Sequence, residues 1–275
     1  MNDAFELKIS SSRGKECDLT RDYPVLVFDG SRFVSDAVSI CIEEQVRLFL
    51  NGEHCTTMVA TPDELVEFAV GFIIDEGFLQ GIHEIDSIRI DDLSIDIRTR
   101  SDAACINSHD LEVGSSGGAE NAGRSDEEAP ALPDGCVFPV DAVFSAVDRL
   151  HDLSNTWKKT GGTHSALILT MNGDLVAYAE DMGRHTAIDK AIGKALIKGT
   201  SLSTCSLTCS GRLPAGMIRK AYRVGIPLII SNNAPFSSGI DMANKLNITV
   251  AGFVRRPRAV IYSGMNRIRG SDSCL

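Results

Sequence analysis

Ser206-Leu207-Thr208-Cys209-Ser210-Gly211-Arg212-Leu213-Pro214 runs from a short apolar strand through a glycine turn to a proline that opens a helix. One unit later, Pro227-Leu228-Ile229-Ile230 is followed by Ser231-Asn232-Asn233-Ala234-Pro235, and the layout repeats. Thr249 to Phe253 ends a third strand in Val254-Arg255-Arg256-Pro257-Arg258. Short β-rich runs between helical patterns predict an α/β domain with a mainly parallel or mixed sheet. Around them, the spacing predicts helices over Val140 to Leu153, His185 to Ile197 and Ser237 to Leu246, one after Pro214, and a strand at Val260 to Tyr262. A hairpin joins Ser165 to Met171 with Leu175 to Ala179 across Asn172-Gly173.

Upstream the pattern is richer in strands. Glu43 to Leu50 and Glu53 to Ala60 flank the turn Asn51-Gly52, and Ile85 to Ile90 and Leu93 to Ile97 flank Asp91-Asp92. Between them, Thr61-Pro62-Asp63-Glu64 reads as a helix start, with an N-cap, a first-turn proline and a capping-box glutamate. Leu65, Phe68, Ala69, Phe72 and Ile73 follow at helical spacing, and Gly77 closes the helix. The expected division is a strand and helix domain over 1–100, a linker over 101–136 and an α/β domain over 137–275.

Charge marks the linker. Ser101 to Cys136 holds eight acids against Arg124, which is −7 of the net −10, with five glycines and two prolines. Such a segment buries too little apolar surface to offset its ordering entropy and reads as a mobile loop. The acidic balance excludes a general nucleic-acid binder. No apolar run reaches membrane-spanning length, and Met1 to Glu6 lacks a secretory start, so the expectation is a cytoplasmic protein with no membrane partner. The eight cysteines form no C-x-x-C pair, which suits reduced thiols, and Cys205 and Cys209 read as structural.

Three segments carry chemistry, each with a plainer alternative. Thr160-Gly161-Gly162-Thr163-His164 precedes a strand; its glycines allow close backbone approach and His164 offers a donor, or the segment is an ordinary turn. In Glu180-Asp181-Met182-Gly183-Arg184-His185, continuing to Asp189-Lys190, a strand ends in carboxylates and enters a helix. Asp181, His185 and Asp189 are spaced by four and are expected to share a helix face, while capping and surface ion pairs are the alternative. Ser210-Gly211-Arg212 has the hydroxyl, free amides and guanidinium of a phosphate cradle. Three polar strand ends in succession predict one cleft for a phosphate-bearing ligand. Gly114-Ser115-Ser116-Gly117-Gly118 matches G-x-S-x-G but lies in the linker without a strand or helix around it, so no nucleophile elbow is assigned.

At these residues the chain closely resembles the formate dehydrogenase accessory sulfurtransferase (FdhD) family. The matching stretches are Met58-Val59-Ala60-Thr61-Pro62, Val70-Gly71-Phe72, Glu76-Gly77 and Thr160 to His164. They continue through Glu180 to His185, Asp189-Lys190, Ser210-Gly211-Arg212, Ala234-Pro235 and Gly252-Phe253-Val254-Arg255. The resemblance implies a cytidine-deaminase-like three-layer α/β domain with a smaller strand-rich α+β part, and a homodimer. It implies a role in maturing a molybdenum or tungsten formate dehydrogenase. Sulfur would come from a cysteine desulfurase as a persulfide and pass to the bis(molybdopterin guanine dinucleotide) cofactor, before insertion into the dehydrogenase catalytic subunit.

By the same resemblance Phe253, Val254, Arg255, Arg256, Pro257 and Arg258 occupy the family's cofactor-binding stretch, with GDP as a fragment mimic. His164, Asp181, Gly183, Arg184, His185, Lys190, Ser210, Gly211, Arg212 and Ala234 complete the expected binding set. No bound zinc is expected, because the deaminase H-x-E and P-C-x-x-C signatures are missing. One departure concerns chemistry. The family carries Ser-Cys-Gly-x-Cys-Gly in its loop, and here Gly117 and Glu120 stand in the cysteine places of Ser115-Ser116-Gly117-Gly118-Ala119-Glu120. Cys105 and Cys136 flank the loop as weak substitutes without a basic neighbour. Two readings follow, a maturation factor that supports sulfuration and a cofactor-binding chaperone that has lost the transfer chemistry. An unrelated α/β nucleotide-binding enzyme is a third.

Overall fold

The computed structural model describes residues 7–12, 18–100, 111–113, 119–121 and 129–270. In chain order, strands β1 (Lys8–Ser11), β2 (Thr20–Phe28), β3 (Phe33–Cys41), β4 (Glu44–Leu50) and β5 (Glu53–Ala60) precede helix α1 (Leu65–Asp75). Strands β6 (Ile85–Asp91), β7 (Ser94–Thr99), β8 (Leu111–Val113), β9 (Ala119–Asn121) and β10 (Phe138–Pro139) come next. They lead to helices α2 (Val140–Leu153) and α3 (Asn155–Thr160), and to strands β11 (His164–Thr170) and β12 (Leu175–Asp181). The remainder alternates: α4 (Arg184–Ile197), β13 (Cys205–Cys209), α5 (Ala215–Arg223), β14 (Leu228–Ser231) and α6 (Ser237–Leu246). Strands β15 (Thr249–Arg255), β16 (Arg258–Ser263) and β17 (Ile268–Arg269) end it.

Two sheets organise these elements. The N-terminal sheet has the order β1-β6-β7-β4-β5 and the C-terminal sheet β12-β11-β13-β14-β15-β16. In the second, β13, β14 and β15 are parallel while β12, β11 and β16 are antiparallel to their neighbours, so the expected mixed sheet is observed. One face carries α2, whose Val143, Phe144, Val147 and Leu150 meet Leu167, Leu228 and Ile230. The other face carries α4, α5 and α6, with Ile188, Ile192, Met217, Ile218 and Leu246 over Ile168, Leu207 and Ile229. Strands of the N-terminal sheet alternate inward and outward, as in Val46, Leu48 and Leu50, because only one face is covered. That cover is α1. It is apolar almost all round because its far side meets α4.

The α1–α4 contact is set by glycines. A side chain on Gly193 would place its first carbon 1.8 Å from the Glu67 carbonyl oxygen, and one on Gly71 the same distance from that of Asp189. Backbone therefore touches backbone where the helices cross. Beside the crossing, the fully buried Lys220 ammonium of α5 lies 2.8 Å from Asp75 of α1 and 2.8 Å from Asp189 of α4, with Glu76 also in contact. Burial raises the pKa of Asp75 and pushes that of Asp189 up to about 6. Burial pulls Lys220 down, yet the three carboxylates outweigh it and its pKa is raised, so it stays charged.

One expectation needs correction. Thr61 is not a helix cap; α1 starts at Leu65 after a left-handed Glu64, with no side-chain cap. Thr61 instead offers its amide to Asp181 at 3.0 Å and its carbonyl and hydroxyl to Lys190. The linker's last residues are anchored: Tyr222 donates to the Pro130 carbonyl, Leu132 pairs with Leu246, and buried Arg267 donates to the Pro133 carbonyl. Strands β2 and β3, with their mixed apolar and polar runs, and the six-residue α3 fell outside the sequence reading. Among the described residues, no helix is long and apolar enough to cross a membrane.

Two outcomes follow from the crossing. Gly193→Val overpacks it and lowers stability by about 2–3 kcal/mol or more, read by denaturant unfolding; an unchanged midpoint refutes the close approach. Asp189 holds its proton more tightly folded (about 6) than unfolded (3.8). Its contribution is thus fully present below the unfolded value and lost as pH rises through the folded one. Asp189→Asn should therefore gain stability relative to wild type between pH 4 and pH 7, whatever its offset; a pH-independent difference refutes the assignment.

Candidate functional site

All three parallel strands end at one edge of the C-terminal sheet, where ligands of α/β sheets bind. Ser210 follows β13, Asn232 and Asn233 follow β14, and Arg255 ends β15. Because β11 runs the opposite way, its first residue, His164, stands at the same edge, next to Met182 after β12. The C-terminal end of α2 and the short α3 add His151 and Trp157. Together these residues line a cleft of about 400 Å³.

Local bonds fix its floor. The Ser210 hydroxyl accepts the Ser165 amide at 3.0 Å and lies 3.1 Å from His164 Nδ1. The His164 Nδ1–Ser210 Oγ bond runs in the direction the ring tautomer sets; with the hydroxyl donating to Nδ1, Nε2 is the nitrogen that carries the hydrogen of a neutral ring. Burial, then Arg184 and Arg212, lower the His164 pKa. Asn233 donates to the Ser210 carbonyl at 3.0 Å, and Ser231 donates to the Gly211 carbonyl at 2.7 Å. Gly211 has to be glycine, since a side chain there would come within 2.8 Å of Arg184. Glu180 accepts the Thr156 and Trp157 amides at 2.9 Å each, satisfying the N-terminal turn of α3 and fixing Trp157 at the cleft mouth.

The residues expected from sequence divide into those at the cleft and those beneath it. His164, Ser210 and Arg255 line it. Asp181 and Lys190 do not; both are fully buried and lie 2.8 Å apart, with Asp63 also 2.6 Å from Lys190. The shared helix face of Asp181, His185 and Asp189 is also corrected, because α4 begins only at Arg184 and Asp181 belongs to β12. Asp181 turns to Lys190 and Asp189 to Lys220. His185 is buried, and burial with Lys220 and Arg184 drives its pKa down to about 3, so it is neutral. Gly183 caps α4, its amide bonded to Asp181 at 2.8 Å. Arg212 lies over the Phe236 ring, and Ala234 accepts the Leu213 amide at 3.0 Å.

In the β15–β16 turn, Phe253 is exposed in a left-handed conformation (φ 50°) with its amide on the Asn233 carbonyl. Val254 is core. Arg256 reaches away to Asp148 at 2.9 Å and lies over Phe144, while Pro257 makes the turn and Arg258 is exposed. Cys136 bonds the Ser203 carbonyl ahead of β13, at the opposite end of the sheet, roughly 15–20 Å from the cleft at ~3.3 Å per strand residue. Cys105 and Gly117 lie outside the described residues, as does the side chain of Glu120.

Sequence reasoning placed Asn233 at a polar strand end of the expected cleft but missed His151, Trp157 and Cys41. Cys41 ends β3 with its Cβ 3.3 Å from where a Gly162 side chain would begin, beside the glycine turn of the cleft. Burial, then Asp181 and Asp63, raise its thiol pKa. Among the described residues no group of three or more His, Cys, Asp or Glu is arranged to hold a metal. In an NMR titration His164 should titrate below 6.5, and Arg184→Gln should raise its pKa. A wild-type value at or above 6.5 overturns the neutral assignment.

Known proteins share this sequence and architecture. The profile of the FdhD/NarQ family matches residues 41–269. The "Sulfur carrier protein FdhD" of Methanothermobacter thermautotrophicus is 38% identical over 242 residues, covering 88% of this chain and 95% of that protein. Its namesake from Shouchella clausii is 34% identical over 239 residues, covering 83% and 89%. A solved structure from Desulfotalea psychrophila, described as a candidate formate dehydrogenase accessory protein, superposes with a TM-score of 0.75. It is 23% identical, and the match covers 92% of this chain and all of that one, so it shares the fold. On this sequence evidence the chain belongs to the FdhD/NarQ family.

Proposed function

We propose that this protein serves formate dehydrogenase maturation by holding a guanine-nucleotide end of the bis(molybdopterin guanine dinucleotide) cofactor in the cleft while that cofactor is sulfurated. The observation that carries this reading is the convergence of Arg255, Ser210, Asn233 and His164 at one sheet edge. The cofactor is cargo here. Its volume of about 400 Å³ gives the cleft room for one nucleotide-sized group. Arg255 supplies charge for a phosphate, His164 Nε2 a neutral donor, and Trp157 an exposed ring at the mouth. We read the three-layer part as cytidine-deaminase-like, and the partners as a cysteine desulfurase upstream and the formate dehydrogenase catalytic subunit downstream.

A second reading, a chaperone without transfer chemistry, is favoured by the five cysteines among the described residues. Sulfur relay needs an accessible thiolate. Cys55, Cys205 and Cys209 are buried, burial pushes Cys209 up to about 11, Cys41 is raised, and Cys136 is at the wrong end of the sheet.

Calorimetry with GDP tests the cleft. Binding should weaken by about 1.5–3 kcal/mol in Arg255→Ala, as for a lost charged hydrogen bond, and change little in Arg256→Ala. Failure of wild type to bind GDP removes the reading. Mass spectrometry after incubation with a desulfurase tests the sulfur path. The double substitution Gly117→Cys/Glu120→Cys should gain one sulfur, about 32 Da, and the natural chain should not. An adduct on the natural chain returns it to the sulfur-carrying reading.

A further inference from the structure

The cleft floor differs chemically from end to end. Between α2 and α3, the Ser154 hydroxyl lies 2.7 Å from that of Ser165 on β11. Both residues line the cleft, yet they are only 4% and 2% exposed. A hydroxyl has one hydrogen and two lone pairs. Ser154 donates its hydrogen to the Leu150 carbonyl at 2.6 Å, and a carbonyl has none to return. The Ser165 hydrogen is thereby directed to Ser154. Three lone pairs are left on the two oxygens and no hydrogen. The Tyr178 hydroxyl reaches the same serines, keeps its hydrogen because burial raises its pKa, and can claim one pair. Two then remain. This end of the floor accepts and does not donate.

The other end donates. Arg255 closes β15, and the order β11-β13-β14-β15 puts it three strand spacings from Ser165, roughly 14 Å at ~4.8 Å each. Such a gap suits an extended nucleoside diphosphate, with its base edge at one end and its terminal phosphate at the other. Beside the serines stands Trp157, 47% exposed, with its ring centroid 6.4 Å from that of His151. It is the chain's single tryptophan.

We propose that Ser154 and Ser165 determine which base the cleft accepts, by taking N–H hydrogens from its edge, with the ring against Trp157 and the phosphates toward Arg255. Guanine offers adjoining ring N–H and amino donors. Hypoxanthine lacks the amine, and adenine turns a ring-nitrogen lone pair to the same place. Two lone pairs facing each other in a buried site leave both acceptors unmet, which costs more than a met bond gains. Selection therefore works mainly by rejection. Given the nucleotide reading of the cleft, on which this rests, the serines choose the base and fix the direction in which the ligand lies.

Titration of the full chain with GDP, IDP and ADP, followed by calorimetry and by tryptophan emission, tests it. Wild type should bind GDP roughly three- to tenfold more tightly than IDP, the worth of one neutral hydrogen bond, and ADP most weakly. Trp157 emission should change with GDP and hold steady with inorganic pyrophosphate. Ser154→Ala should bring GDP and IDP to nearly equal affinity, whereas Arg255→Ala should weaken all three ligands and keep their ranking. The wild-type ranking and emission need no substitution, so they decide the matter even where Ser154→Ala fails to fold. Equal binding of GDP and IDP by wild type overturns the proposal and leaves the cleft reading standing. So does GDP binding that leaves Trp157 emission unchanged, or a folded Ser154→Ala that keeps the wild-type preference. A wild type that binds none of the three overturns both.

Discussion

The fold turns on the place where α1 and α4 cross with backbone against backbone. Gly71 and Gly193 permit that approach, and the two sheets are held at their spacing by it. Helices normally pack 8–10 Å apart with side chains between them. Here each glycine removes a side chain at the crossing, and the flanking apolar residues of α1 reach the N-terminal sheet on one side while those of α4 reach the C-terminal sheet on the other. A helix covered on all sides has lost its amphipathic signature, which is why the hydrophobic run from Leu65 to Asp75 carries so little polarity.

Closing that interface strands charge, and two lysines resolve it. Lys220 collects Asp75, Glu76 and Asp189, and Lys190 collects Asp63 and Asp181. Buried pairs of this kind add little net stability over apolar residues of the same volume, but removing one member leaves an uncompensated charge and is strongly destabilising. Their value here is positional. Asp181 is the last residue of β12, so the Lys190 cage holds the strand end from which Met182 enters the cleft wall.

Much of this was legible in the sequence because it is local. The hairpin across Asn172-Gly173, the amphipathic α2 and the strand–turn–helix units after Ser206 are periodicities of neighbouring residues, and the cleft at their strand ends follows from the layout. What was not legible is long-range. Thr61 has every local mark of a helix cap, and its amide and hydroxyl are claimed by Asp181 and Lys190 across the molecule. Asp181, His185 and Asp189 have helical spacing, yet the strand continues through Asp181. Arg255 and Arg256 look alike in the chain, and only the turn decides that one faces the cleft and the other an acid of α2. Trp157 carries no motif, and Glu180 places it.

The Lys190 cage also bears on how such a chain can change over generations. Thr61 meets Asp181 across 120 positions and Lys190 across 129. A substitution at any one of the four groups strands the others, so acceptable changes have to arrive in compensated sets. Sequence drift at these sites is therefore epistatic, and the order of mutations matters. The first and second halves are inherited as one piece, and a chimaera joining halves from distant relatives is expected to fold only when both sides of this cage descend from the same parent.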